Sequence, residues 1–188
     1  MNKAVFLDRD GTIIEDVGYL NNPLDIKFIP GTIEAIKKLN QAGYKVVVIT
    51  NQSGVARGLI REDMLQTIDK TIQKTILAGG GHLDAIYYCP HHAEHGHYPY
   101  KRECDCRKPG PGMILKAAKD LKLDLSQSFM IGDKISDIEA GINSGVKPIL
   151  VLSGRGQHEQ TKLDNKKAGI CQDLSQAVGQ ILAGQISL

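Results

Sequence analysis

Two carboxylates stand two residues apart in Asp8-Arg9-Asp10-Gly11-Thr12, where the apolar run Val5-Phe6-Leu7 gives way to a glycine turn. An apolar strand has no packing use for either acid, so chemistry at its carboxyl end is the stronger reading, and an acidic turn with solvated side chains is the plainer one. Other polar residues recur at the margins of apolar runs: Thr50-Asn51-Gln52-Ser53-Gly54, Lys108, Asp133 and Asp137. Each has a modest use when taken alone. Thr50 can cap a helix, Lys108 can be a solvated loop charge, Asp133 can shape a turn, and Asp137 can complement a helix dipole. If the runs are parallel strands, all of them overlook the crevice where open α/β sheets bind ligands, and their shared polarity there argues for a site.

A second group has the composition of a metal site. Cys89-Pro90-His91 and Cys104-Asp105-Cys106 flank a twelve-residue loop. Three thiolates and one imidazole can close into the tetrahedral arrangement of a structural zinc site, and a polar loop of this length otherwise has nothing to hold it. His92, His95 and His97 compete for the fourth place; His91 is preferred because Cys-x-His mirrors Cys-x-Cys. Cys171 stands apart and reads as a buried apolar residue.

The elements that position these groups alternate. Lys3 to Leu7 and Tyr44 to Thr50 read as buried strands, with Ile33, Ile36 and Leu39 at helical spacing between them and Gly43 as a stop. Met64, Ile68, Ile72 and Ile76 form a helical stripe closed by Gly79-Gly80-Gly81, and Ala85 to Tyr88 is a third strand. Pro111 to Leu121 reads as a helix with Met113, Ile114, Ala117 and Leu121 inward. Ser128 to Ile131 is a strand and Ile135 to Asn143 a helix. Val146 to Leu152 reads as the last strand, with Pro148 suited to an edge. Leu174, Val178, Ile181 and Leu182 predict a closing helix. Repeated strand–helix units imply right-handed crossovers and a parallel sheet covered on both faces.

Length and composition agree with one compact catalytic unit. A chain of 188 residues with 41% apolar content can bury one substantial core. A net charge of +2 gives no reason to expect nucleic acid as a partner. No basic leader precedes an apolar run, and no segment approaches the roughly 20 apolar residues of a membrane span. The expectation is a soluble cytoplasmic monomer acting on a small molecule, its clustered cysteines holding metal in a reducing compartment.

At Asp8-Arg9-Asp10-Gly11-Thr12, Val48-Ile49-Thr50-Asn51-Gln52, Lys108-Pro109 and Ile131-Gly132-Asp133-Lys134 with Asp137, the chain resembles the haloacid dehalogenase (HAD) superfamily over roughly residues 3 to 152. The resemblance implies an α/β class: a three-layer α/β/α Rossmann-like fold with a central parallel sheet, no separate cap domain, and a zinc-stabilised loop over 89–109 within a single domain across 1–188. Within that superfamily, an acid two residues after the nucleophile is similar to the phosphatases. Asp8 is then the nucleophile, forming an aspartyl-phosphate, and Asp10 the acid and base. Thr50 and Lys108 hold the phosphoryl group, and Asp137 orients Lys108 or a metal-bound water. Mg²⁺ is held by Asp8, Asp133 and the main-chain carbonyls of Asp10 and Lys134. Such a hard cation suits oxygen donors and a reaction that gathers negative charge.

The zinc loop narrows the resemblance to the capless branch containing the heptose-bisphosphate 7-phosphatases and histidinol-phosphate phosphatases. Of these, the chain looks more like the former. That implies release of the 7-phosphate from D-glycero-D-manno-heptose 1,7-bisphosphate, leaving heptose 1-phosphate, on the way to activated heptose for lipopolysaccharide. Asp16, Val17, Gly18, Tyr19, Asn51, Gln52, Ser53 and Arg107 are the implied substrate contacts, and Arg102 and Arg107 with Lys108 suit a second phosphate. Histidinol-phosphate phosphatase is the alternative, and a non-catalytic zinc-organised binding module the weakest reading, since every catalytic position is filled.

Overall fold

The computed structural model describes residues 2–164 and 167–186. Short runs of β-branched and aliphatic residues form β1 (Ala4–Leu7), β2 (Lys45–Asn51), β3 (Ala85–Cys89), β4 (Phe129–Gly132), β5 (Lys147–Val151) and β6 (Gly169–Cys171). They make one parallel sheet in the order β3-β2-β1-β4-β5-β6. The connecting helices are α1 (Thr32–Gln41), α2 (Glu62–Ala78), α3 (Gly112–Leu121), α4 (Ile135–Ser144), the short α5 (Gly156–Glu159) and α6 (Leu174–Leu182).

The pleat sends alternate side chains to opposite layers. Val5, Leu7, Val46 and Val48 pack with Ile36, Leu39, Ile68, Ile72, Ile76 and Val178 on one face. Ala4, Phe6, Val47 and Ile49 pack with Met113, Ile114, Ala117 and Ala140 on the other. Strands buried on both faces must be apolar throughout, which is why no hydrophobic alternation marks them in the sequence.

The chain runs outward from β1 to β3 and returns to start β4 on the other side of β1. That reversal opens a crevice at the carboxyl end of β1, where doubly wound sheets bind ligands. The segments meeting there, 8–31, 52–61, 90–111 and 152–155, are loops apart from one 3-10 turn at Pro23–Asp25, and among the described residues none adds a further layer.

Two expectations are corrected. The strand at Lys147–Val151 is not the last, because β6 pairs with it from Ile149 to Val151. Pro148 is accommodated because Lys147 N–H donates to Ser128 O on the β4 side, 3.0 Å. Alternation turns the Pro148 nitrogen toward β6, whose pairing begins only at Ile149. In α6, Leu182 is 41% exposed, and Ala177 lies buried beside Leu174, Val178 and Ile181 instead. Cys171 is buried in the α1/α6 layer of the core.

Candidate active site

β1 delivers Asp8 to the floor of a cavity of about 380 Å³. Its carboxylate meets two ammonium groups. Lys108 Nζ lies 2.9 Å from Asp8 Oδ1 and 2.6 Å from Asp137 Oδ1, and donates to Ile49 O at 2.9 Å. Burial would push Lys108 down, but Asp137 and Asp8 on either side hold it above the ordinary lysine range. Burial would push Asp8 up, and Lys108 and Lys134 hold it below the usual carboxylate range. Asp8 is therefore an anchored carboxylate held toward its ionised form, the state that attack by an oxygen nucleophile requires.

A second cation position is defined by oxygens alone. Lys134 Nζ stands 3.1 Å from the main-chain carbonyl of Asp10, 3.1 Å from Asp133 Oδ1 and 3.6 Å from Asp8 Oδ2. Asp133 is fully buried, and burial, followed by the charge of Asp8, pushes its carboxyl up to about 7. The other oxygen of Asp133 accepts the Arg155 N–H, 2.9 Å. Gly11, at φ +91°, lets the chain pass against Asp133, where any Cβ would collide with the carboxylate. Converging hard oxygens that already gather a positive charge fit Mg²⁺. The Lys134 main-chain carbonyl, also expected among these donors, accepts Asp137 N–H at the start of α4, 2.9 Å, which leaves it a second lone pair. The Lys134 side chain also reaches these oxygens.

Asp10 lies beside this floor. Gln52 Nε2 donates to Asp10 Oδ2 and to Thr50 Oγ1, both at 2.8 Å. Asn51 clasps the backbone of Lys108 in both directions, donating to its carbonyl and accepting its N–H at 3.0 Å each. The end of β2 thus sets the height of the lysine over Asp8.

Of the residues expected to contact substrate, Asp16, Gly18, Tyr19, Asn51, Gln52, Ser53 and Arg107 line the cavity. Val17 does not; it is half exposed and borders a separate hollow with Leu20 and Lys27. Arg102 is also elsewhere, with Nη2 against His91 Nε2 at 2.9 Å. The cavity carries a cation outside the sequence motifs, Arg155, paired through Nε with Asp16 Oδ2 at 3.2 Å, and it is also lined by Ser136 on α4. Arg155 follows β5 in the same way as the other site residues follow their strands, so the carboxyl-end rule reaches it.

The zinc-type cluster closes one wall. Cys89 ends β3, and its sulfur lies 3.5 Å from that of Cys104 and 3.1 Å from that of Cys106; the last two are 3.2 Å apart. His91 Nδ1 faces Cys106 Sγ at 3.3 Å. These separations exceed a disulfide bond and fall just inside the roughly 3.8 Å edge of a tetrahedron with bonds of about 2.3 Å, so the donor set fits Zn²⁺. His92 is turned away, its Nδ1 accepting the N–H groups of Glu94 and His95 at 3.1 and 3.2 Å. Arg107 Nη1 donates to the His91 carbonyl, 3.2 Å, so the cluster fixes the arginine at the cavity wall. Tyr88 and Tyr100 both donate to Glu62 at the head of α2, at 3.0 and 2.6 Å, tying the loop to the body.

Family models for haloacid dehalogenase-like hydrolases match residues 5–83, and a related HAD-hydrolase-like model matches 105–177. The chain is 49% identical over 156 residues to the D-glycero-beta-D-manno-heptose-1,7-bisphosphate 7-phosphatase of Haemophilus influenzae, covering 82% of this chain and 84% of that protein. This chain belongs to the heptose-bisphosphate phosphatase family of HAD hydrolases. The family member from Pasteurella multocida is 46% identical over 163 residues, covering 86% and 88%. The crystal structure of the B. bronchiseptica D,D-heptose 1,7-bisphosphate phosphatase, complexed with magnesium and phosphate, superimposes with a TM-score of 0.86 at 34% identity over 97% of this chain and 99% of that one. Among the described residues, no helix is long and apolar enough to cross a membrane.

Proposed function

We propose that this phosphatase hydrolyses the 7-phosphate of D-glycero-β-D-manno-heptose 1,7-bisphosphate, with one domain across 1–188 carrying the whole reaction in the cytoplasm as a monomer. The observation that carries the reading is the floor of the cavity, where Asp8, Asp10 and Asp133 turn oxygens toward one cation position while Lys108 holds the other side of Asp8. The substrate comes from the family relatives.

Asp8 Oδ attacks phosphorus as the ester P–O bond breaks, and Asp10 passes a proton to the leaving oxygen, giving the sugar alcohol and an aspartyl-phosphate. Water then attacks that phosphorus, Asp10 takes its proton, and inorganic phosphate leaves with Asp8 regenerated. Thr50 and neighbouring N–H groups orient the phosphoryl oxygens, and Lys108, kept charged and oriented by Asp137, offsets the charge they gather. Asp8, Asp133 and the Asp10 carbonyl would hold Mg²⁺, which when bound supplies further neutralisation. Cys89, His91, Cys104 and Cys106 would hold Zn²⁺ as a structural ion. Asp16, Gly18, Tyr19, Asn51, Gln52, Ser53 and Arg107 contact the sugar and its second phosphate.

The distant phosphate gives a direct test. A charge-assisted contact contributes about 1.5–3 kcal/mol, so Arg107→Ala should lower kcat/KM for the bisphosphate by on the order of 10- to 100-fold. p-Nitrophenyl phosphate, which has no second phosphate, should change little. Phosphate released by wild-type protein should come from carbon 7. Faster hydrolysis of histidinol phosphate than of the bisphosphate would overturn the substrate assignment.

The two metals should separate experimentally. Brief EDTA treatment should stop turnover reversibly, with Mg²⁺ restoring it, while elemental analysis still finds one zinc per chain. Cys104→Ser should lose that zinc and lower Tm by about 6–12 °C, the equivalent of roughly 3 kcal/mol in a chain of this size. Wild-type protein expressed with ample zinc yet containing none would remove the structural-zinc assignment.

A further inference from the structure

Below the cavity floor lies an ionic chain that the two-step hydrolysis does not itself use. Arg9, between the two acids of the first motif, points away from the crevice and is 1% exposed. Its guanidinium makes a two-point contact with Asp10, Nε to Oδ2 at 3.2 Å and Nη2 to Oδ1 at 3.2 Å. The remaining arm, Nη1, reaches Asp69 Oδ1 at 3.1 Å. Asp69 sits on α2, buried among the apolar residues that face the sheet. With Gln52 Nε2 on Asp10 Oδ2 as well, both carboxylate oxygens of Asp10 are held from below and behind.

Packing does not require this arrangement. Buried ionic groups are costly to desolvate, and apolar side chains of similar volume generally fill such a space at least as well. What the fork adds is orientation: a planar, rigid donor pair fixes the plane of a carboxylate, and Asp69 fixes the fork. A group that must reach a leaving oxygen and then a water depends on that plane.

We infer that Asp69, acting through Arg9, is a positioning residue that aims the Asp10 carboxyl at the leaving oxygen. The inference rests on the reading of Asp10 as proton donor. It makes α2, remote from the crevice in sequence, part of the proton-transfer apparatus.

Leaving-group dependence tests this. kcat/KM covers the chemistry only through transfer to Asp8, so hydrolysis of the aspartyl-phosphate does not enter. A series of aryl phosphates from p-nitrophenyl to phenyl phosphate, plus the heptose bisphosphate, spans leaving groups that need no proton to ones that do. For Asp69→Asn the plot of log kcat/KM against leaving-group pKa should steepen, with p-nitrophenyl phosphate changed less than about 3-fold and phenyl phosphate and the bisphosphate reduced about 10-fold or more. Asp10→Asn should steepen it further and sets the scale. The double variant Arg9→Met/Asp69→Leu, with apolar groups of similar bulk, should melt near wild type yet keep the steep plot, and it serves the same test if Asp69→Asn folds poorly. A uniform loss across the series for Asp69→Asn, or a wild-type slope in the double variant, would overturn the inference while leaving Asp10 in its role. A wild-type slope for Asp10→Asn would overturn the reading of Asp10 itself.

Discussion

Asp8→Asn is expected to reduce turnover of every phosphate ester by at least about 10⁴-fold, the scale on which removal of a covalent nucleophile acts. The fold should survive, because an amide oxygen in that place can still accept from Lys108 Nζ, which lies 2.9 Å away in the native chain. The variant's melting curve and turnover together check both halves of the statement. Beryllofluoride, which mimics an acyl-phosphate on a carboxylate, should bind wild-type protein and not Asp8→Asn. Mass spectrometry must first exclude deamidation back to Asp; appreciable turnover by intact Asp8→Asn would sink covalent attack.

Lys108→Met should be the most damaging single change to stability as well as to rate. The lysine side chain is 2% exposed and bridges two carboxylates that are themselves almost inaccessible. Removing it leaves Asp137 without its ion-pair partner and Asp8 with only the more distant Lys134, 3.6 Å away, and breaking a buried ion pair from one side costs about 3–5 kcal/mol. For a chain of this size that is a fall in Tm of about 6–20 °C. Loss of the charge over the transferring group should separately lower kcat/KM by about 10³-fold. Lys108→Met/Asp137→Asn separates these effects: it should recover much of the melting temperature and none of the turnover. Recovery of both would show that the lysine serves the fold alone.

Most of the strand–helix order, and the crevice with it, is legible in the sequence because polar residues at the ends of apolar runs have little use in packing. The residues that escape do so for local reasons. β6 contains three residues, one of them glycine, and offers no periodicity to read. Arg9 reads as a spacer between two acids, and it lies in the bend just past β1, where no strand alternation tells which way its side chain turns. Asp69 follows Ile68 on the inward side of α2, and a charge there is a signal in plain view. Arg155 lies just past Leu152, beyond the apolar run that predicts the strand. Val17 lies between Asp16 and Gly18, and Arg102 two residues before Cys104, but neither lines the cavity. Lys134 shows a different limit: its sequence position puts it at the cation site, but nothing in a one-dimensional pattern tells that its ammonium also arrives there.

The four zinc-type donors pin the crevice wall at both ends of one loop, Cys89 and His91 where it leaves β3, Cys104 and Cys106 just before Arg107 and Lys108. A double anchorage of this kind uncouples two histories. The stretch 92–103 can lengthen, shorten or change composition without shifting the arginine and lysine that follow it, because their position is set by the cluster and by Asn51. The composition of this stretch can therefore drift while the phosphoryl chemistry stays in register. With no lid among the described residues, this loop is the replaceable part.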